Sequence, residues 1–226
     1  MCGRYATTRS EADLSDLFDA VDVTEGLTPS WNVAPTDPVP VIRVSQSRDD
    51  ARVLDRARWG LVPPWATDLR GGARMINARS ETVATSPAFA PSFARRRCLV
   101  PADGWFEWLG AGKQKQAFYM VPADGSPLAF AGLWSAWGAE PVLTCSVLTT
   151  AAIGGLARVH DRMPLILPRD RWAGWLAGGG DPAGLLQPMT ERELDAIEVR
   201  PVGRAVGNVR NNGPHLLDPP VASMLF

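Results

Sequence analysis

The sequence predicts an α+β fold: a single domain over residues 1–226, centred on a barrel-like, largely antiparallel sheet with peripheral helices. Three observations lead there. Short apolar segments of strand length recur along most of the chain, helical periodicity is confined to a few stretches, and neither regular βαβ alternation nor a glycine-rich phosphate loop suggests a doubly wound nucleotide-binding fold. The 20 prolines and 21 glycines are scattered, and no repeat or low-complexity tract divides the chain. With 226 residues and 46% hydrophobic content, the chain can bury one substantial core.

The first expected element is a helix. Ser10 stands before Glu11, Asp13, Leu14, Leu17 and Phe18, a capping residue followed by acidic first-turn positions and apolar residues at helical spacing. Strands are expected at 39–44 and 53–59. Helices come next at 78–83, with Asn77 at the N-cap position, and at 88–95. Five strands then follow at 98–100, 105–108, 118–121, 128–134 and 143–149, each a short β-branched or aromatic run between turn residues. A helix at 169–177 carries Trp172, Trp175 and Leu176 on one face, a last strand spans 197–202, and 214–220 reads as a packed tail.

Composition excludes several classes. No apolar run is long enough for a membrane span, and Arg4, Arg9, Glu11 and Asp13 stand where a signal peptide needs apolar residues. Three cysteines, Cys2, Cys98 and Cys145, lack CxxC spacing, which argues against a disulfide framework and a structural zinc site; a reducing cytoplasm is the expected compartment. Neither metal nor cofactor is expected. The net charge of −1 does not mark a nucleic-acid binder, but only Lys113 and Lys115 are lysines, so 21 of the 23 basic residues are arginines. That bias fits either base composition of the gene or a use for bidentate phosphate contacts.

Cys2 is the sharpest chemical feature. Removal of Met1 would leave a 1,2-aminothiol, whose amine condenses with an aldehyde to a Schiff base and whose thiol then closes a thiazolidine ring. An α-amine titrates near pH ~8 and a thiol near ~8.5, so both nucleophiles are partly available at neutral pH. Glu107 lies among aromatic residues in Asp103-Gly104-Trp105-Phe106-Glu107-Trp108. It is either a desolvated carboxyl tuned for proton transfer or a solvent-facing residue on an alternating strand. His160, beside Asp161, is either a general acid or base or a structural partner of its neighbour; His215 has no supporting context. Asn77 caps a helix or orients a sugar oxygen, with Arg79 placed to hold an adjacent phosphate. Trp31, Trp59 and Trp65 interleave with arginines, and only Trp65, in a proline-bearing loop, is retained as a stacking residue.

Nine segments, in order, are MCGRYA at residue 1, WNVAPT at 31, WGLVPPWA at 59, INARSET at 76, RCLVPADGWFEW at 97, FAGLW at 130, LTTAA at 148, VHDRMPLIL at 159 and AVGNVRNNG at 205. Together they resemble the SRAP family, the SOS response-associated peptidases or abasic-site processing proteins, over nearly the full length. The resemblance implies a compact single domain with a positively charged channel for single-stranded DNA and covalent capture of abasic sites through the N-terminal cysteine. It makes Cys2 the nucleophile, Asn77 an anchor for the opened sugar, and Glu107 and His160 the proton-transfer pair. Arg4, Arg79 and Arg162 become phosphate contacts, with Pro35 and Trp65 near the DNA path. It further implies a monomer acting on abasic single-stranded DNA, including at replication forks, with nucleoid association when bound and lyase chemistry as a side reaction. The chain as written is then a precursor, because Met1 blocks the amine. Two other readings stand beside this one: a cysteine peptidase using Cys2, Glu107 and His160, and a non-catalytic single-strand-binding module.

Overall fold

The strand that follows the N-terminus, β1 (Tyr5–Thr7), determines through its partners where Cys2 lies. The computed structural model describes residues 2–112, 115–177 and 181–220, so Met1 and Lys113 lie outside the described residues. Helix α1 (Glu11–Phe18) comes next; the Ser10 hydroxyl accepts the Asp13 N–H, and Asp13 accepts from the Ser10 N–H in return. Then come β2 (Val21–Asp22), β3 (Ser30–Val33), β4 (Pro38–Ser45), β5 (Ala51–Trp59) and β6 (Asn77–Arg79). Helix α2 (Ala90–Arg95) leads into β7 (Arg97–Ala102), β8 (Gly104–Leu109), β9 (Gln116–Pro122), β10 (Leu128–Trp137), β11 (Val142–Ala151) and β12 (Arg162–Pro164). Three short helices, α3 (Trp172–Leu176), α4 (Pro182–Leu185) and α5 (Glu191–Leu194), precede β13 (Ile197–Val202).

Five strands close on themselves. β5 pairs with β4, β4 with β7, β7 with β10 and β10 with β11, all antiparallel; a short parallel register of β11 on β5, Thr144↔Arg58 and Cys145↔Trp59, completes the ring. Alternation sorts the side chains into two clusters. Val39, Val41, Ala57, Trp59, Cys98, Val100, Phe130, Cys145 and Val147 pack together and meet Cys2, Tyr5 and Trp105 from the neighbouring sheet. Ile42, Leu54, Leu99, Leu133 and Leu148 form the opposite face, covered by Leu14 and Phe18 of α1, Phe93 of α2, and Trp172 and Trp175 of α3. β7 is covered on both faces, all six of its residues being buried, which is why it reads as an apolar run after Arg97.

The second sheet has the order β13-β9-β8-β1-β3 and is antiparallel throughout. β7 passes into β8 across Asp103, whose N–H donates to Ala6 O and so ties the crossing to β1. Gly104 is required there: a Cβ would come within 2.4 Å of Met120 O and 2.7 Å of the Tyr119 hydroxyl. Among the described residues no helix is long and apolar enough to cross a membrane.

The strands expected from sequence are present, each extended by a residue or more at one or both ends except β13, which matches at both. One helix is not. Residues 78–83 form no helix; Asn77–Arg79 is β6, running parallel to β11 with Val147↔Asn77 and Thr149↔Arg79, and the chain then turns after the Ser80 N–H donates to Thr149 O. Ala78 is fully buried against this sheet, and that tertiary burial outweighs local helix propensity. Helix 169–177 begins as a 3-10 turn at Arg169–Arg171 before α3, and its Trp172, Trp175 and Leu176 are all buried as the periodicity requires. The tail packs down through Leu216, and Asp218 O accepts from the Gly203 N–H.

Candidate active site

Cys2 enters the structure just ahead of β1, and β1 is hydrogen-bonded to β8 with Tyr5↔Trp105 and Ala6↔Gly104. The ladder continues upstream, where the Phe106 N–H donates to Arg4 O at 2.9 Å. This register carries the N-terminal residues along β8 to the level of Glu107. Cys2 is completely buried; burial pushes its thiol well above the usual value, the nearby Glu107 charge adds to that push, and the Arg4 N–H donated to the sulfur opposes it. The thiol is therefore held protonated at neutral pH.

Glu107 does not face solvent. It is only 3% exposed, and its carboxyl is pushed up to about 7, first by burial and further by Asp161, with Lys115 pulling the other way. A carboxyl poised there can both take and give a proton at neutral pH. Alternation on β8 fails as a guide because residues 104–107 are all buried, whichever face they occupy.

Asn77 is not a helix cap. Its position on β6 lets Nδ2 donate to Cys2 O at 2.7 Å, which fixes the amide's orientation. The other end of the same amide, Oδ1, is buried and has no hydrogen-bond partner among the described residues. An orphan acceptor of this kind is uncommon in a folded protein and suits a ligand hydroxyl.

His160 sits between the 3-10 turn Gly154–Arg158 and β12. Its Nδ1 accepts the Arg162 N–H at 2.9 Å and also lies 2.8 Å from Asp161 Oδ1. The first contact suits an unprotonated Nδ1 and the second a protonated one. Burial, the largest influence, holds the imidazole below its ordinary value, so the neutral ring accepts from Arg162 and carries its proton on Nε2. Arg162 itself reaches Glu81 through both terminal nitrogens and Thr149 O at 2.6 Å, and this pairing holds the Glu81 carboxyl below the usual range.

The remaining candidates divide. Arg79 is exposed at the end of β6, and Arg162 pairs on the other side of the same β11 segment at Ala151, so the two flank it. Pro35 lies on the turn after β3, where the Thr36 N–H donates to Trp59 O; the Trp59 indole in turn donates to Ile76 O, beside Asn77. Arg4 is buried, donating to Asn32 Oδ1 and Val206 O, with its guanidinium 5.8 Å from the Trp108 ring centroid. It braces the floor of the site from inside. Trp65 is 62% exposed on a loop tethered where the Trp137 indole donates to Ala66 O; it shares no hydrogen bond or ring contact with Cys2, Asn77, Glu107 or His160. Sequence reasoning missed Asn32, which accepts from Arg4 and donates to Asn208 O and Asn211 O, and Glu81, which pins Arg162. Both lie in motifs already singled out. Among the described residues no cluster of His, Cys, Asp and Glu is placed to hold a metal.

A family model described as SOS response associated peptidase (SRAP) matches residues 1–209. The chain belongs to the SRAP family. Among SRAP relatives, abasic site processing protein YoaM of Bacillus subtilis is 35% identical over 96% of this chain and 98% of its own. Abasic site processing protein YedK of Escherichia coli is 35% identical over 97% and 100%, and abasic site processing protein HMCES of Xenopus tropicalis 29% over 96% and 78%. A crystal structure from Bacteroides thetaiotaomicron superposes with a TM-score of 0.83 at 21% identity, covering 96% of this chain and 99% of that one, so the SRAP architecture is shared where sequence has diverged. These relatives are named for the processing of abasic sites.

Proposed function

We propose that this SRAP protein, once Met1 is removed, captures abasic sites in single-stranded DNA as a thiazolidine on Cys2 and so shields them. The observation that carries the reading is Asn77: one end of its amide holds the Cys2 carbonyl at 2.7 Å, and the other presents a buried, unpartnered oxygen beside the same residue. A ring-opened deoxyribose could donate a hydroxyl to that oxygen with its aldehyde carbon held next to the new amine.

The steps balance with release of one water. The Cys2 amine adds to the aldehyde carbon, Glu107 takes the ammonium proton, and the carbinolamine oxygen leaves as water after protonation by the carboxylic acid so formed. His160, with its proton on Nε2, assists opening of the closed sugar by donating to the ring oxygen. The thiol then adds across the C=N bond, its proton passing to nitrogen, and closes the five-membered ring. A thiol held protonated by burial suits this order, with the amine attacking first. The same burial disfavours the cysteine-peptidase reading, which needs a thiolate.

Arg79 supplies a phosphate contact, Arg162 a second one on release from Glu81, Arg4 braces from below, and Pro35 and Trp65 border the strand. Binding is expected to weaken with salt and to lack base specificity. A strand without pairing partners gives the sugar access to the buried cysteine. The protein is expected to act as a cytoplasmic monomer, on exposed single strands such as those at replication forks.

The test is incubation of N-terminally processed protein with an oligonucleotide bearing one abasic site, followed by a denaturing gel. A heat-stable adduct is expected. Cys2→Ala, which keeps an amine but has no thiol to close the ring, should give strand scission instead, because an open Schiff base invites β-elimination. Salt-sensitive binding with neither adduct nor scission would leave only a binding module and overturn the proposal.

A further inference from the structure

A basic cavity of about 930 Å³ opens at the far end of the barrel from Cys2. Its walls come from Arg43 on β4, Arg52 on β5, Trp134 on β10, and Arg95 and Arg96 at the end of α2, with Arg97 also lining it. The separation follows from the strands: β5 runs from Arg52 at this cavity to Trp59, whose indole reaches Ile76 beside Asn77, and the extended chain between them spans roughly 23 Å. Five of the chain's 23 basic residues therefore gather at a place the crosslinking chemistry does not use.

Internal partners account for some of them. Arg43 pairs with Asp55 at 2.7 Å, Arg52 donates to Phe18 O, and Arg97 donates to Trp175 O and Phe93 O. Asp50 stands on the rim, and Asp16 and Asp19 line the groove beyond Arg52, so the acidic groups gather on the Arg52 side. Arg95 and Arg96 differ. Neither side chain forms an ion pair or hydrogen bond among the described residues, Arg95 is exposed, and the Arg96 and Arg43 guanidinia lie 5.6 and 5.1 Å from the centroid of the one Trp134 ring. Planar forks presented without a carboxylate are the donor set that phosphate oxygens take up in pairs. With the indole already engaged by arginines, recognition rests on phosphate rather than on a stacked base.

We propose that this cavity binds a small molecule carrying a di- or triphosphate group, seated on the Arg95 and Arg96 side. Its volume lies in the range of small-molecule sites, on the order of 300–1,000 Å³. Isothermal titration of the full chain with inorganic triphosphate, with ATP and with an undamaged single-stranded oligonucleotide tests this. Both triphosphates should bind, and the double variant Arg95→Ser, Arg96→Gln should weaken each at least tenfold, while Arg200→Gln, on distant β13, changes neither. Equal affinity for the two identifies the phosphate group alone as the ligand; a tenfold preference for ATP identifies a nucleotide. Arg95 and Arg96 are at the surface, and matching urea midpoints for variant and parent show that the fold is kept; if it is not, Arg95→Gln alone is used and should weaken both triphosphates measurably. No binding at millimolar triphosphate, or unchanged binding in these variants, overturns the proposal. Oligonucleotide binding lost in the double variant without triphosphate binding overturns it in favour of a DNA backbone contact.

Discussion

Replacing Glu107 with Gln should make the protein more stable, by a gain that grows as pH rises above about 4.5 and is complete near pH 8. Burial raises the carboxyl from 4.5 to about 7 in the folded chain. Between those values the folded state holds a proton that the unfolded state has released. The folded state thus binds more protons, and stability falls as pH rises through that window. Each pKa unit corresponds to roughly 1.4 kcal/mol, so the displacement amounts to about 3 kcal/mol as an upper limit, absent below pH 4.5 and fully imposed near pH 8. Gln at 107 has the shape of the protonated acid at every pH and escapes that cost. Urea unfolding of parent and Glu107→Gln at pH 5 and pH 8 reads the effect. The gain at pH 8 should lie between about 1 and 3 kcal/mol and the gain at pH 5 should be about a quarter of it, while crosslinking by the variant slows at both. A pH-independent difference, or a variant less stable at pH 8, would refute the reasoning that Glu107 is buried at a cost in stability and kept for proton transfer.

Three further outcomes are expected. Asn77→Ala removes one hydrogen bond to Cys2 O, worth about 1 kcal/mol, and should slow crosslinking about fivefold to tenfold with DNA affinity within about twofold of the parent, as timed quenching and filter binding would show. Glu81→Gln frees Arg162 from a half-exposed ion pair: stability should change by less than about 1 kcal/mol, but the salt dependence of single-strand binding should steepen by up to about one counterion. An unchanged salt slope would remove Arg162 from the binding surface. Gly104→Ala forces a Cβ to 2.4 Å from Met120 O, backbone that cannot swing away, and should cost about 2 kcal/mol or more in thermal or urea unfolding.

The barrel was legible because its strands are long enough for composition to show. β10 and β11 carry ten residues each, and their apolar runs survive any window. β1, β6 and β12 carry three each, and their existence depends on pairing with β8 and β11, which no local pattern records. Asn77 shows the consequence: read locally, Asn-Ala-Arg-Ser-Glu suggests a cap and a helix, and only parallel pairing with β11 turns the amide toward Cys2. Glu107 was legible as a candidate from its aromatic neighbours, but whether it faced water was open until β1 and β9 were seen to flank β8. Arg4 and Arg162 read as equivalent free cations in sequence; tertiary partners separate them, one braced inside by Asn32 and one pinned at the surface by Glu81.

The central claim is that a free Cys2 aminothiol forms a closed ring with an abasic sugar, and intact mass spectrometry of the adduct tests it most directly. Protein lacking Met1, mixed with a single-stranded abasic oligonucleotide, should give a species equal to the sum of the two masses less one water, stable without added reductant and absent from Cys2→Ala. A stable adduct of that mass on Cys2→Ala, or one that forms equally well while Met1 is still attached, would contradict the account.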